Sequence, residues 1–154
     1  MTAWNRALLG LLVLLPATLG AAFPAAAQVA QDRSAAVVFI GTNEGGEAEV
    51  DDFTHGILEA TGKDAAVRVV APEGLDHGAK PDPAKVAAAA KVRFVFVAEI
   101  HREDADFAVA ARLVDAQTGR EVWNGRFFSD EDDLLQLPGE IATSLVAQLK
   151  AAAL

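Results

Sequence analysis

Apolar positions along the chain follow three different rhythms, and each rhythm predicts an element. Ala35 to Ile40 (AAVVFI) is a continuous apolar run, the pattern of a strand covered on both faces. Gly41 to Gly46 (GTNEGG) reads as a loop. In Glu47 to Thr61, Val50, Phe53, Ile57 and Ala60 recur at three- and four-residue steps, which predicts an amphipathic helix, with Gly62 placed to cap it. Ala66 to Val70 (AVRVV) is a second strand, and residues 71–81, rich in Pro and Gly, form a loop. At Asp82-Pro83 the chain carries a helix start, Asp to accept from free N–H groups and Pro preorganised at the first helical position. That helix runs to about Lys91. Phe94 to Ile100 (FVFVAEI) is the most apolar strand and is expected at the centre of the sheet. Arg102 to Asp106 is a turn, and Phe107 to Val114 and Glu121 to Phe128 are the last two strands. Acidic Ser129 to Asp133 leads into a helix with Leu134, Leu137, Ile141, Leu145 and Leu149 on one stripe, whose true first turn is marked by Pro138. The order β-α-β-α-β-β-β-α predicts one α/β (α+β) domain, a mixed sheet of about five strands with flanking helices, over residues 35–150. Residues 28–34 are a polar lead and 151–154 a tail.

The last two strands flank Asp115-Ala116-Gln117-Thr118-Gly119-Arg120. Their register follows from which face must be buried. A plain four-residue loop, Ala116 to Gly119, sets Asp115 opposite Arg120 and Leu113 opposite Val122. A type I turn with a left-handed Gly119 in a bulge instead pairs Ala116 with Arg120, Asp115 with Glu121, Val114 with Val122 and Leu113 with Trp123. Ala111 then meets Gly125 and Val109 meets Phe127. That second register makes one face uniformly apolar and is the expected one. It needs a positive φ at Gly119 and makes Trp123 a core anchor.

Composition places this domain behind an export segment. Arg6 supplies a basic start, Ala7 to Leu15 (ALLGLLVLL) an apolar stretch, and Phe23 to Ala27 (FPAAA) an A-x-A end, so residues 1–27 read as a secretory signal peptide cut after Ala27. The alternative is an uncleaved anchor, since no charge lies between Arg6 and Asp32, although Pro16, Gly20 and Pro24 suit a spanning helix poorly. No later segment is long and apolar enough to span a bilayer. Cleavage removes one Arg and no acid, taking the net charge from -9 to -10. Such acidity opposes nucleic-acid binding. The chain has no Cys, which excludes disulfides, thiolate metal sites, a Cys nucleophile and a lipidated cysteine. Abundant Ala and Gly with few aromatics suggest a bacterial chain, and therefore the periplasm.

Candidate chemistry is sparse. Gly56 followed by Gly62-Lys63-Asp64 approximates a phosphate loop, but the spacing is one residue too long and Asp replaces the magnesium-binding hydroxyl. The GTNEGG loop lies between a strand and a helix, where anions can bind, but carries Glu44. Asp51, His55 and Glu59 share a helix face and read as a solvated face rather than a metal site. His77 and His101 have no zinc spacing. Asp130 to Asp133 (DEDD) lacks an EF-hand pattern and suits a helix N-terminus. Glu99 and Glu103 are read as flanking a turn. No G-x-S-x-G is present. These residues imply no catalytic site, no metal and no cofactor.

Val92 to Phe128 resembles the TolB-like amino-terminal domain family, through Phe94-Val95-Phe96, Ala111 to Ala116 (ARLVDA), Thr118-Gly119 and Val122-Trp123. Asp133 to Ala142 (DLLQLPGEIA) is similar to the start of that family's closing helix, and the resemblance spans about residues 35–149. Val38 to Asn43 (VFIGTN) lacks the Pro-Phe of the family's first strand end. Domains of this type occur in the periplasmic protein TolB and beside cyclase or helical-repeat regions. The resemblance implies a mixed sheet with flanking helices and a role in protein–protein interaction rather than catalysis. It marks Leu113, Asp115, Thr118, Gly119 and Trp123 as structural signature positions. Gln117, Thr118 and Arg120, at the exposed tip, are the candidate partner contacts. The expected function is a non-enzymatic periplasmic interaction module of an envelope complex. A periplasmic small-ligand sensor or carrier is the alternative.

Overall fold

The computed structural model describes residues 33–41, 46–74, 80–103, 106–130 and 132–152. The expected signal peptide, most of the GTNEGG loop, His77 and Glu131 lie outside the described residues. The elements run β1 (Ser34–Gly41), α1 (Gly46–Thr61), β2 (Arg68–Val70), α2 (Pro83–Ala90), β3 (Phe94–Glu103), β4 (Asp106–Asp115), β5 (Arg120–Asp130) and α3 (Leu137–Ala152). This is the expected order, a single mixed α/β domain. The five strands lie in the order β2-β1-β3-β4-β5. β1 is parallel to both its neighbours, while β3, β4 and β5 form an antiparallel meander. β3 is central, as its sequence predicts.

Side-chain alternation splits the strands between two cores. On one face Val37 and Phe39 of β1, Phe94, Phe96 and Ile100 of β3, and Val109 and Leu113 of β4 pack against Val50, Phe53 and Ile57 of α1 and Leu137, Ile141, Leu145 and Leu149 of α3. An aromatic chain crosses this core: Phe53 to Phe39 at 5.8 Å, Phe39 to Phe96 at 6.4 Å, Phe96 to Trp123 at 6.3 Å and Trp123 to Phe127 at 6.3 Å between centroids. On the other face a smaller core joins Ala36, Val38, Ile40, Val95 and Val97 to Val86 and Ala87 of α2. Thus β1 is buried on both sides, which is why its sequence is apolar without alternation.

Several boundaries differ from expectation for local reasons. β2 starts at Arg68 rather than Ala66, because Asp64 takes the intervening backbone into a turn: Ala66 N–H donates to its carboxylate at 3.0 Å and Val67 N–H to its carbonyl at 3.3 Å. Gly62 is not left-handed; its N–H continues the helical pattern to Leu58 O at 2.9 Å, so it acts as the last turn rather than as a left-handed cap. That conformation falls on Lys91 after α2 instead, with φ 53° and ψ 52°. Asp82 caps α2 as expected, accepting from Ala84 N–H at 3.0 Å. Arg102, Glu103 and Asp106 belong to strands, with Glu103 paired to Asp106, so the predicted five-residue turn is shorter. Glu99 lies within β3 and does not flank that turn. Ser129 and Asp130 close β5, and α3 begins one residue before Pro138.

Candidate interaction surface

The hairpin joining β4 and β5 combines the two registers the sequence allows. In the body of the ladder Leu113 faces Trp123, Ala111 faces Gly125 and Val109 faces Phe127, as the buried face requires. At the tip Asp115 pairs with Arg120 and Val114 with Glu121, so Ala116 to Gly119 is a plain four-residue loop and the extra residue is Val122. The expected Asp115–Glu121, Ala116–Arg120 and Val114–Val122 pairs are therefore corrected. The bulge that brings Trp123 onto the core face lies two residues beyond Arg120 rather than at Gly119. The observed arrangement replaces a like-charged cross-strand pair with an opposite-charged one. Gly119 still has φ +69°, and its N–H donates to Asp115 O at 2.8 Å.

Asp115 holds this loop. Its side chain, 5% exposed, accepts from Gln117 N–H at 2.9 Å and Thr118 N–H at 3.4 Å through one oxygen. The other oxygen faces Arg93, with Nη2 at 3.2 Å and Nε at 3.4 Å. Arg93 also ties the tip to the sheet through its backbone, donating to Ser34 Oγ at 3.1 Å and accepting from Ala116 N–H at 3.0 Å. No sequence motif marks Arg93. Its partnership with Asp115 exists only because Phe94 and Asp115 are register partners in the β3–β4 ladder. Thr118 Oγ1 accepts from Arg120 N–H at 3.4 Å. Of the signature positions, Leu113 is fully buried, Asp115 and Gly119 shape the loop, and Trp123 stacks on Phe96. The candidate contacts Gln117, Thr118 and Arg120 are exposed together at the tip.

Trp123 also explains Gly125. A Cβ at Gly125 would lie 2.5 Å from the Trp123 ring, so the indole lies across the glycine backbone and covers it. On the opposite side of the sheet α2 packs mainly over β1 and β3. Among the described residues no helix packs over the β4–β5 half of that face. Glu99, Arg112, Asn124 and Arg126 line a shallow depression of about 240 Å³ there. Asn124 Nδ2 donates to Glu121 Oε1 at 2.6 Å. Val122 is 45% exposed and Phe128 71%.

A second surface feature is an apolar groove of about 480 Å³ where α1 meets the start of α3, lined by Phe53, Ala60, Leu134, Leu135 and Pro138, with His55 and Glu59 among its polar residues. Asp51, His55 and Glu59 are all exposed on α1. Gly56 does not belong to a phosphate loop; it sits inside α1 against Pro138. Asp64 instead binds Lys150 at 2.6 Å. Asp130 accepts from Asp133 N–H, and the Asp133 carboxylate from Gln136 Nε2, each at 3.0 Å. His101 lies inside β3 opposite Ala108. Among the described residues no three His, Asp or Glu side chains form a cluster able to hold a metal ion.

The described residues thus form a mixed-sheet α/β domain that leaves the β4–β5 hairpin, its tip and half a sheet face uncovered among themselves. Solved bacterial structures share that fold. TolB from Acinetobacter baumannii superposes with a TM-score of 0.57 at 15% identity, over 77% of this chain and 28% of that one. A DUF330 protein from Xanthomonas campestris gives 0.54 at 8% identity, over 77% of this chain and 86% of that one. Lipoprotein GNA1162 from Neisseria meningitidis gives 0.49 at 21% identity, over 77% and 96%. This chain therefore spans little more than a quarter of TolB. For TolB and the DUF330 protein the likeness, at these identities, is one of fold. No family model and no curated relative matches the sequence.

Proposed function

We propose that this chain is a non-enzymatic interaction module of the bacterial envelope, of the TolB amino-terminal type, exported to the periplasm. The observation that carries the reading is the uncovered surface of the β4–β5 hairpin: an exposed tip held in one conformation by Asp115 and Arg93, continuous with a polar half-face of the sheet. A tip fixed by its own backbone hydrogen bonds loses little entropy on docking. Gln117, Thr118 and Arg120 are the proposed contacts. The partner is a protein with a basic surface, drawn in by the net charge of this chain. The TolB fold likeness and the hairpin signature support this assignment. Photo-crosslinking in intact cells from position 117 should trap one or a few specific proteins, and a probe at exposed Lys85 on α2 should not. Identical products from both positions would refute it. The same material should begin at Gln28 on N-terminal sequencing.

A second reading, small-ligand carriage, is favoured by the groove between α1 and α3, whose apolar walls suit a small hydrophobic molecule. A thermal-shift screen decides it: a bound compound raises the melting temperature, and substitution of Leu135 by Asp should abolish that rise.

A further inference from the structure

β5 ends the sheet. Among the described residues it pairs with β4 alone; it is eleven residues long, whereas the opposite edge, β2, has three. An edge of that length presents a row of backbone donors and acceptors to any matching strand. The sequence of this edge matches itself. Read outward from Gly125 as far as the bulge, its residues fall into facing sets: Asn124 with Arg126, Trp123 with Phe127, and Val122 with Phe128.

We infer that two copies of this chain pair β5 to β5, antiparallel, about a two-fold axis at Gly125, making one continuous sheet across both. The axis applies every contact twice. Val122 and Phe128, large apolar side chains exposed in the single copy, cover each other across the seam. Trp123 of one copy meets Phe127 of the other along the core face. Between Val122 and Phe128 no like charges stand opposite one another. Edge charges commonly block self-pairing; here their order favours one register. An axis at Arg126 would set that cation against its own copy, and an axis at Asn124 would set Val122 against Arg126. The pairing also joins the two uncovered half-faces, each with Glu99, Arg112 and Arg126, into a single surface. The Gln117 tips stay at the two ends of the seam. This inference does not depend on the envelope-partner reading.

Cysteine pairing tests the register directly, because the chain has no native Cys. Asn124→Cys and Arg126→Cys are separately prepared, mixed and mildly oxidised. Across the proposed seam 124 faces 126, whereas 124–124 and 126–126 are diagonal neighbours about 7–8 Å apart, too far for an unstrained disulfide. The mixture should therefore form the covalent dimer, and each variant alone should remain largely monomeric. No dimer in the mixture, or as much dimer in either variant alone, overturns the proposal. Sedimentation equilibrium supplies the second arm. Phe128→Arg, at an exposed position, should raise the dimer dissociation constant about tenfold or more, which is about 1.4 kcal/mol, with an unchanged circular dichroism spectrum. Undiminished association of that variant would equally overturn it. A monomer that still crosslinks to a specific envelope partner would remove the dimer and leave the proposed function standing.

Discussion

Gly56 shows how one hydrogen atom can set the distance between two helices. It lies in the middle of α1, where glycine lowers helix propensity, yet a Cβ there would stand 2.8 Å from Cβ of Pro138. Gly56→Ala should cost about 2 kcal/mol through overpacking, read as a lower urea midpoint from Trp123 emission. Gly139, one residue beyond Pro138, has nothing within 4 Å of its ideal Cβ, so Gly139→Ala should be neutral or stabilise by up to about 1 kcal/mol. Asp115 makes the second case. Asp115→Ala leaves two loop N–H groups and the Arg93 guanidinium without their acceptor, and should cost about 2 kcal/mol. Asp115→Asn keeps a neutral acceptor for Gln117 N–H and should lose about half as much, with the difference measuring the charge on Arg93. The turn-forming character of Asp115 and Gly119 is legible in the sequence, because short-range backbone chemistry decides it. Arg93 is not, because it reaches Asp115 only through strand pairing.

Among the elements, α3 is pinned at its far end by Lys150, whose ammonium donates to Asp64 at 2.6 Å, in the turn before β2. That hydrogen bond, followed by the one from Ala66 N–H, holds the Asp64 carboxyl below its ordinary value of 3.8. A carboxylate whose pKa is lowered by folding contributes stability that is present above the unfolded-state value and lost as pH falls through the folded one. Lys150→Met should therefore destabilise the protein near neutrality. The gap between variant and wild type should close as the pH is taken below 3.8, measured by urea melts at successive pH values. The same Asp64 shortens β2, so the three-residue edge and the anchoring of α3 have one cause. The apolar pattern predicted α1, α2 and the three meander strands, through a one-sided stripe, a capping signal, an unbroken apolar run in β3, or alternation in β4 and β5. It overextended β2, because a β-prone Ala-Val pair does not reveal that a preceding Asp has claimed the backbone. It also misplaced the bulge. Each candidate register is regular from tip to body, whereas the strand takes the plain loop at the tip, with Asp115 opposite Arg120, and shifts at Val122 to bring Trp123 onto the apolar face.

For the molecule as a whole, the unequal division of the core predicts unequal local stability. Two sixteen-residue helices and an aromatic chain seal one face, while the eight-residue α2 seals part of the other mainly through Val86 and Ala87. Backbone amides of α2 should exchange with deuterium well before those of β3, and Val86→Ala should speed α2 exchange while leaving β3 near the global rate. Fold class, element order, the doubly buried β1 and the central place of β3 follow from the sequence alone, because they depend on how apolar residues repeat along a short stretch and on local capping chemistry. The likeness to TolB in fold agrees with the hairpin signature on which the resemblance rests. Other features belong to the tertiary structure: that α2 leaves half a sheet face open, that Arg93 locks the hairpin, that Gly56 meets Pro138, and that β5 stands as a long edge with Phe128 exposed. Each is a relation between segments far apart in the chain. Side-chain periodicity records whether a face is buried, and carries no record of which neighbour buries it or where that neighbour stops.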